Sequence, residues 1–175
     1  ERERVFRLSC YLGTDTHVDM VIDASPWGIG GVLMVNGSPS AFFSDTLGKE
    51  DSDIFAHGKG EAEGQQVWES LAALVALRVW KSHWQKHRVR QTLRGDNVAM
   101  LTLIFNMRPR SRQLQLIVQE LAMDLCEFSF VPIVTKHLPG VANKVADELS
   151  RRHQPGAVAK HMQFLSQAEE FKVPK

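Results

Sequence analysis

Four carboxylates stand where structural elements should begin or end: Asp23, Glu69, Asp96 and Asp147. Asp23 closes the apolar run Val18-Asp19-Met20-Val21-Ile22, which reads as a strand. Glu69 lies beside Trp68, early in a segment of helical apolar spacing over residues 65–83. Asp96 sits in Gly95-Asp96-Asn97, between a strand pattern at 88–93 and an apolar run at 98–105. Asp147 falls in a short helical segment, 142–152. A carboxylate buried alone is very costly, so Asp23 is a paired charge, a metal ligand or a turn cap. Glu69 and Asp96 have ordinary readings too: an acid suits the first turns of a helix, and Asp is a good N-cap. Brought together, the four would repel unless protonated or bridged by cations. Hard divalent cations with oxygen ligands are the natural bridge. Two such ions roughly 3.5–4 Å apart make a pair that cleaves phosphodiesters.

The intervening chain supplies a scaffold for that meeting. Residues 18–23 and 31–35 read as a hairpin turning at Asn36-Gly37, and residues 40–44 as a third strand, giving an antiparallel meander. Gly28, Gly30 and Gly31 beside Asp23 suggest a backbone that a ligand can approach closely. Residues 47–64, rich in Gly, Asp, Glu and Lys, read as a long loop. The helix at 65–83 is apolar nearly all round over 71–77 and should be heavily buried. A fourth strand at 88–93, helices at 98–105 and 113–125, a fifth strand at 128–134 and a last helix at 142–152 complete the order. A right-handed crossover would place the fourth strand parallel to the first. The expected fold class is therefore α/β: a five-stranded mixed sheet flanked by helices. Carboxyl ends of parallel neighbours share one sheet edge, which can bring Asp23 and Asp96 together.

Composition narrows the rest. The 175 residues fit one domain: an N-terminal extension over 1–16, a domain over 17–153, and a tail or linker over 154–175. No apolar run is long enough to span a membrane, and Glu1-Arg2-Glu3-Arg4 does not open a signal peptide. A location inside the cell, cytoplasmic or nuclear, is expected; the lack of an initiator Met suggests a piece of a longer polypeptide. Cys10 and Cys126 have no metal spacing, in keeping with a reducing compartment. Charge is uneven: residues 1–77 carry 5 basic and 12 acidic side chains (net −7), and residues 78–175 carry 16 and 8 (net +8). That asymmetry suits a polyanionic partner held beside an acidic site, and equally an ordinary solvated surface.

Taken together, Asp23-Ala24-Ser25, the segment from Glu69 to Leu77, Gly95-Asp96-Asn97 and the block HLPGVANKVADELSR at 137–151 resemble ribonuclease H. The likeness is nearest to the ribonuclease H domain that follows reverse transcriptase in gypsy-type and related retrotransposons, where H-x-P-G-x-x-N-x-x-A-D-x-L-S-R is typical. The resemblance covers about residues 15–152 and implies a ribonuclease H-like fold and cleavage of the RNA strand of RNA/DNA hybrids. It implies two Mg²⁺ ions, with Mn²⁺ able to substitute, held by Asp23, Glu69, Asp96 and Asp147. His137, in the loop before the last helix, would assist proton transfer or product release. Ala24, Ser25, Asn97 and Asn143 would lie near the substrate; Asn143 equally reads as a cap of the last helix. A polymerase domain in the parent chain, and a retroelement particle as one setting, are implied as well.

Departures from the pattern are also legible. Gly95 stands where the family usually has Thr or Ser. The Lys- and Trp-rich basic handle of some cellular ribonucleases H is missing; Arg108, Arg110 and Arg112 are candidates to replace it, or else form a solvated basic turn. Glu61 and Glu63 are rivals to Glu69 but lie in the Gly-rich loop. Two other functions compete: a non-catalytic ribonuclease H-like scaffold or binding module beside a polymerase, and an integrase-like DNA strand-transfer enzyme. The latter uses a different acid spacing.

Overall fold

The computed structural model describes residues 16–84, 89–127, 133–140 and 143–174. The expectations for residues 1–15, including most of the N-terminal extension and the state of Cys10, lie outside that set, as do residues 128–132 of the fifth strand and Val141 and Ala142 of the last block. A six-stranded mixed sheet forms the centre, in the order β5-β4-β1-β2-β3-β6. β1 (His17–Ser25), β2 (Gly28–Val35) and β3 (Ser38–Thr46) are the expected antiparallel meander. The turn expected to close the first hairpin is displaced: β1 and β2 are joined at Pro26-Trp27, while Asn36-Gly37 joins β2 to β3, both residues with positive φ, the conformation that makes Asn-Gly a tight hairpin. β4 (Arg90–Gly95) is parallel to β1, and β5 (Ile133–His137) is parallel to β4.

One face of the sheet carries α2 (Gln65–Val79), α3 (Val98–Asn106) and α4 (Arg112–Glu127). Ile22, Leu33 and Phe43 from the strands pack there with Trp68, Leu77, Trp80, Met100 and Leu121. Fully burying an apolar side chain of this size stabilises by about 1.5–3 kcal/mol, which is why the all-apolar run in α2 becomes the central helix. Trp80 and Trp84 are core residues. The other face carries α5 (Lys144–Arg151), whose Leu149 packs with Val32, Phe42 and Leu165.

Four features differ from the sequence reading. The 47–64 loop contains a short helix, α1 (Lys49–Phe55), and a 3₁₀ turn at Ala62–Gly64. Phe55 is the one buried residue of α1, so no apolar period announces it. The helix expected over 65–83 ends at Val79 and continues as a separate 3₁₀ turn, Lys81–His83. The sheet has six strands rather than five. The sixth, β6 (Glu169–Glu170), belongs to the segment expected to be a tail or linker. That segment makes a 3₁₀ turn at Met162–Leu165, buries Leu165, and runs parallel to β3, with Phe171 donating its N–H to the Phe42 carbonyl at 2.8 Å. The edge of β3 is thereby covered.

Candidate metal centre and cleft

The parallel register sets the first two carboxylates side by side. Val21 pairs with Arg94, so Asp23 and Asp96, each two residues further on, emerge from neighbouring strands at one sheet edge. α2 brings Glu69 to them from one face of the sheet. One oxygen each of Asp23, Glu69 and Asp96 lies within 4.8 Å of the others. Asp23 and Glu69 are buried, at 4% and 2% exposure, while Asp96 is exposed. Asp147, from α5 on the other face, lines the same open cleft of about 300 Å³ together with Gln65, Asn97 and Arg151. It does not join the three-oxygen cluster: its Oδ1 accepts from Arg151 Nε at 2.6 Å, one helical turn on.

Burial shapes the electrostatics. Loss of water pushes the Asp23 carboxyl up to about 7; the Ser150 hydroxyl opposes this, and the charges of Asp96 and Asp147 add to it. Loss of water, then the Asp23 charge, pushes Glu69 up to about 9, against the hydrogen bond from Gln65. Asp23 and Glu69 therefore hold their protons more tightly than ordinary carboxylates, and a bound cation would displace them. The donor set fits a hard cation by chemistry, since all three ligands are carboxylate oxygens. An orphaned atom fits it too: Glu69 Oε2 is buried with no hydrogen-bond partner.

The supporting contacts are built by the last helix. Ser150 Oγ donates to Asp23 Oδ2 at 2.9 Å, and Asn143 Nδ2 donates to Asp23 Oδ1 at 3.0 Å. Ser25 Oγ donates to the Ser150 carbonyl at 2.8 Å and Ser44 Oγ to the Leu149 carbonyl at 2.7 Å, so strand hydroxyls satisfy the helix C-terminus. The glycines of β2 admit this helix. A Cβ on Gly30 would lie 2.5 Å from Leu149 Cβ and 2.6 Å from Ser150 N; one on Gly28 would meet the Asp45 and Ser150 carbonyls. The close approach read from Gly28 and Gly30 is therefore made by α5, not by a ligand. Gly31 instead meets the ring of Phe43. At Gly95 a Cβ would lie 2.9 Å from Met100 Cε, so the missing Thr or Ser side chain is replaced by core packing.

The remaining candidates distribute as follows. Ala24 and Asn97 line the cleft, and the Ala24 carbonyl accepts from Gln65. The N-cap of α3 is Asn97, whose Oδ1 accepts from Met100 N at 3.0 Å; the alternative reading of Asp96 as the cap is not taken up, and its carboxylate joins the cluster. Ser25 and Asn143 are buried and turned inward, to α5 and to Asp23, rather than facing the cleft, and Asn143 makes no side-chain cap. His137 is exposed and ends β5, paired with Gly95, rather than lying in a loop; it is not among the cleft-lining residues. Arg108 and Arg110 are exposed and line a groove with Gln66 and Ala99, neighbours of the cleft residues Gln65 and Asn97. Arg112 is exposed at the start of α4 and does not line that groove. Glu61 and Glu63 are exposed, and Glu61 binds the Gly58 N–H.

Three residues were not singled out from sequence. Gln65 reaches Glu69 at 3.0 Å, an i,i+4 pair that the helical spacing contains. Ser150 and Arg151 are i+3 and i+4 from Asp147 and belong to the block that carried the resemblance.

No family model matches the chain, and no curated protein matches its sequence. Solved structures do match. LC11-RNase H1, solved in complex with an RNA/DNA hybrid, is 18% identical, with TM-score 0.62 over 83% of this chain and 100% of that one. RNase H1 from the halophilic archaeon Halobacterium salinarum NRC-1 is 18% identical, with TM-score 0.59 over 82% and 100%. The N-terminal RNase H domain of a Mycobacterium tuberculosis protein, solved as a fusion with maltose-binding protein, is 14% identical, with TM-score 0.61 over 82% and 96%. With strand order, helix placement and these likenesses in agreement, the chain has a ribonuclease H-like fold.

Proposed function

We propose that this chain is an endonuclease that hydrolyses the RNA strand of RNA/DNA hybrids and forms part of a reverse-transcriptase polyprotein of a gypsy-type or related retroelement. The observation that carries the reading is the meeting of Asp23, Glu69 and Asp96 oxygens within 4.8 Å at an open cleft. The fold is one that ribonucleases H share, and the 137–151 block supports the retroelement context.

Asp23, Glu69 and Asp96 would hold one divalent cation, Mg²⁺ with Mn²⁺ as substitute; Asp147 and Asp23 would hold a second. Such ions activate the attacking water and neutralise charge at the leaving oxygen. The chain's part is positioning. Ser150 and Asn143 fix the Asp23 carboxylate from behind, and Gln65 holds one Glu69 oxygen while the other is buried without a hydrogen-bond partner. A preorganised site of this kind needs no rearrangement as charge develops. Asp147 would leave Arg151 to complete the second site. His137, on the same sheet edge, is assigned to proton transfer or product release. The products would be a 5′-phosphate and a 3′-hydroxyl. Recognition rests on backbone shape and the 2′-hydroxyl, with Ala24 and Asn97 nearest the strand and Arg108, Arg110 and Arg112 gripping phosphates further out.

One observation favours a second reading, a non-catalytic scaffold: the Asp147 carboxylate is held by Arg151, apart from the other three. Cleavage assays with matched RNA/DNA hybrid and duplex DNA in Mg²⁺ separate the possibilities. Hybrid-specific cleavage supports the nuclease, cutting or strand transfer on duplex DNA supports an integrase-like enzyme, and metal binding without cleavage of either supports the scaffold.

A further inference from the structure

α5 has a second groove on its far side, where the chain after it folds back. About 490 Å³ of open space lies between α5 and residues 154–162, and Asp147 and Arg151 line both this groove and the carboxylate cleft. The two grooves therefore border each other at Asp147 and Arg151. The wall facing α5 includes the small residues Gly156, Ala157 and Ala159 alongside Gln154, Val158 and Met162. Its cations are Arg151, Arg152 and Lys160. Of its two acids, Asp147 is engaged by Arg151, and Glu148 is tied down by the backbone N–H groups of Lys160 (3.0 Å) and His161 (2.8 Å) and by the His161 ring. Arg152 also pairs with Glu170 on β6.

We propose that this groove is a second nucleic-acid contact, taking backbone phosphates of the strand that leaves the cleft. It is built by Arg152 and Lys160 and lies on the opposite side of the cleft from the Arg108 and Arg110 groove. The inference rests on the nuclease reading above. A polyanion crossing the cleft then meets cations before and after the acidic centre, and the fold-back segment becomes part of the substrate track. Small residues in the wall let a sugar-phosphate backbone lie close to it.

The test is the salt dependence of hybrid binding by full-length protein carrying Asp23→Asn to stop cleavage, followed by fluorescence anisotropy. Each lost phosphate contact flattens the slope of log K against log[salt] by roughly 0.7–0.9. Arg152→Gln with Lys160→Gln should flatten it by about 1–2, additively with Arg108→Gln and Arg110→Gln. Glu170→Gln breaks the tie to β6 but keeps both cations, and should bind at least as tightly as the parent. An unchanged slope in the Arg152/Lys160 variant overturns the inference, as does equal weakening by Glu170→Gln, which would make the effect one of segment docking. If the Asp23→Asn parent shows no salt-dependent hybrid binding and the unaltered protein no cleavage, the nuclease reading falls and this one with it. If the parent binds and only the Arg108/Arg110 slope changes, this inference alone fails.

Discussion

The two sides of the cleft are held in different ways. Asp23, Glu69 and Asp96 come from β1, α2 and the end of β4, the centre of the main core, and two of the three are buried. Asp147 comes from an eight-residue helix, is 42% exposed, and answers to a salt bridge within its own helix. One side is rigid and electrostatically costly without a cation; the other is adjustable and already neutralised. On the proposed two-cation reading, a first cation would be held by the preformed trio, and a second would need Asp147 to part from Arg151.

Substitutions that remove one charge from each side should separate the two behaviours most widely. Asp23→Asn should reduce hybrid cleavage by at least about 10²–10³-fold, the scale for a preorganised electrostatic group. In metal-free protein at pH 8 it should raise Tm, because it removes a buried charge that burial and its neighbours disfavour. Asp147→Asn should also impair cleavage but lower metal-free stability by under about 1 kcal/mol, as loss of an exposed ion pair does. A fall in Tm for Asp23→Asn would break the comparison.

Next in size is the helix seat. Gly30→Ala puts a Cβ into Leu149 and Ser150 and should cost about 1–3 kcal/mol through overpacking, while displacing Asp147 and the Ser150 support of Asp23. Cleavage should fall further than the stability loss alone explains at 25 °C, where the fold persists. Thermal melts paired with steady-state rates check both halves.

The pH dependence follows from the rigid side. Asp23 and Glu69 bind protons more tightly folded than unfolded, with values moved from 3.8 to about 7 and from 4.5 to about 9. Metal-free stability therefore declines as pH rises through that interval, since the unfolded chain releases protons first. Saturating Mg²⁺ should flatten or reverse the decline, and binding at pH 7 should release on the order of one proton. Calorimetry in buffers of different ionisation enthalpy measures that release; none released would contradict the assignment. The smallest effect is expected for Ser150→Ala. It removes a bond to Asp23 of about 1 kcal/mol and should shift the acid limb of the pH–rate profile upward by a fraction of a unit.

What could be read in advance divides along physical lines. The meander, its Asn-Gly turn, the central helix and the parallel placement of Asp23 and Asp96 follow from local periodicity and the handedness of crossovers. The role of Gly28 and Gly30 does not. A lone sequence shows that something comes close, and only the packed fold reveals it to be α5. The docked segment after α5 was illegible for a like reason, because Leu165 finds its partners Val32, Phe42 and Leu149 only through long-range packing. α1 escaped notice because it buries a single residue. Asp147 was legible as a candidate, but its capture by Arg151 depends on side-chain geometry rather than spacing alone.

The central claim is that three carboxylates cage a divalent cation. A crystal of the full chain soaked in Mn²⁺ and measured at the Mn absorption edge tests it most directly. The account predicts an anomalous peak bounded by oxygens of Asp23, Glu69 and Asp96. A cleft without a peak at millimolar Mn²⁺ and neutral pH would contradict it.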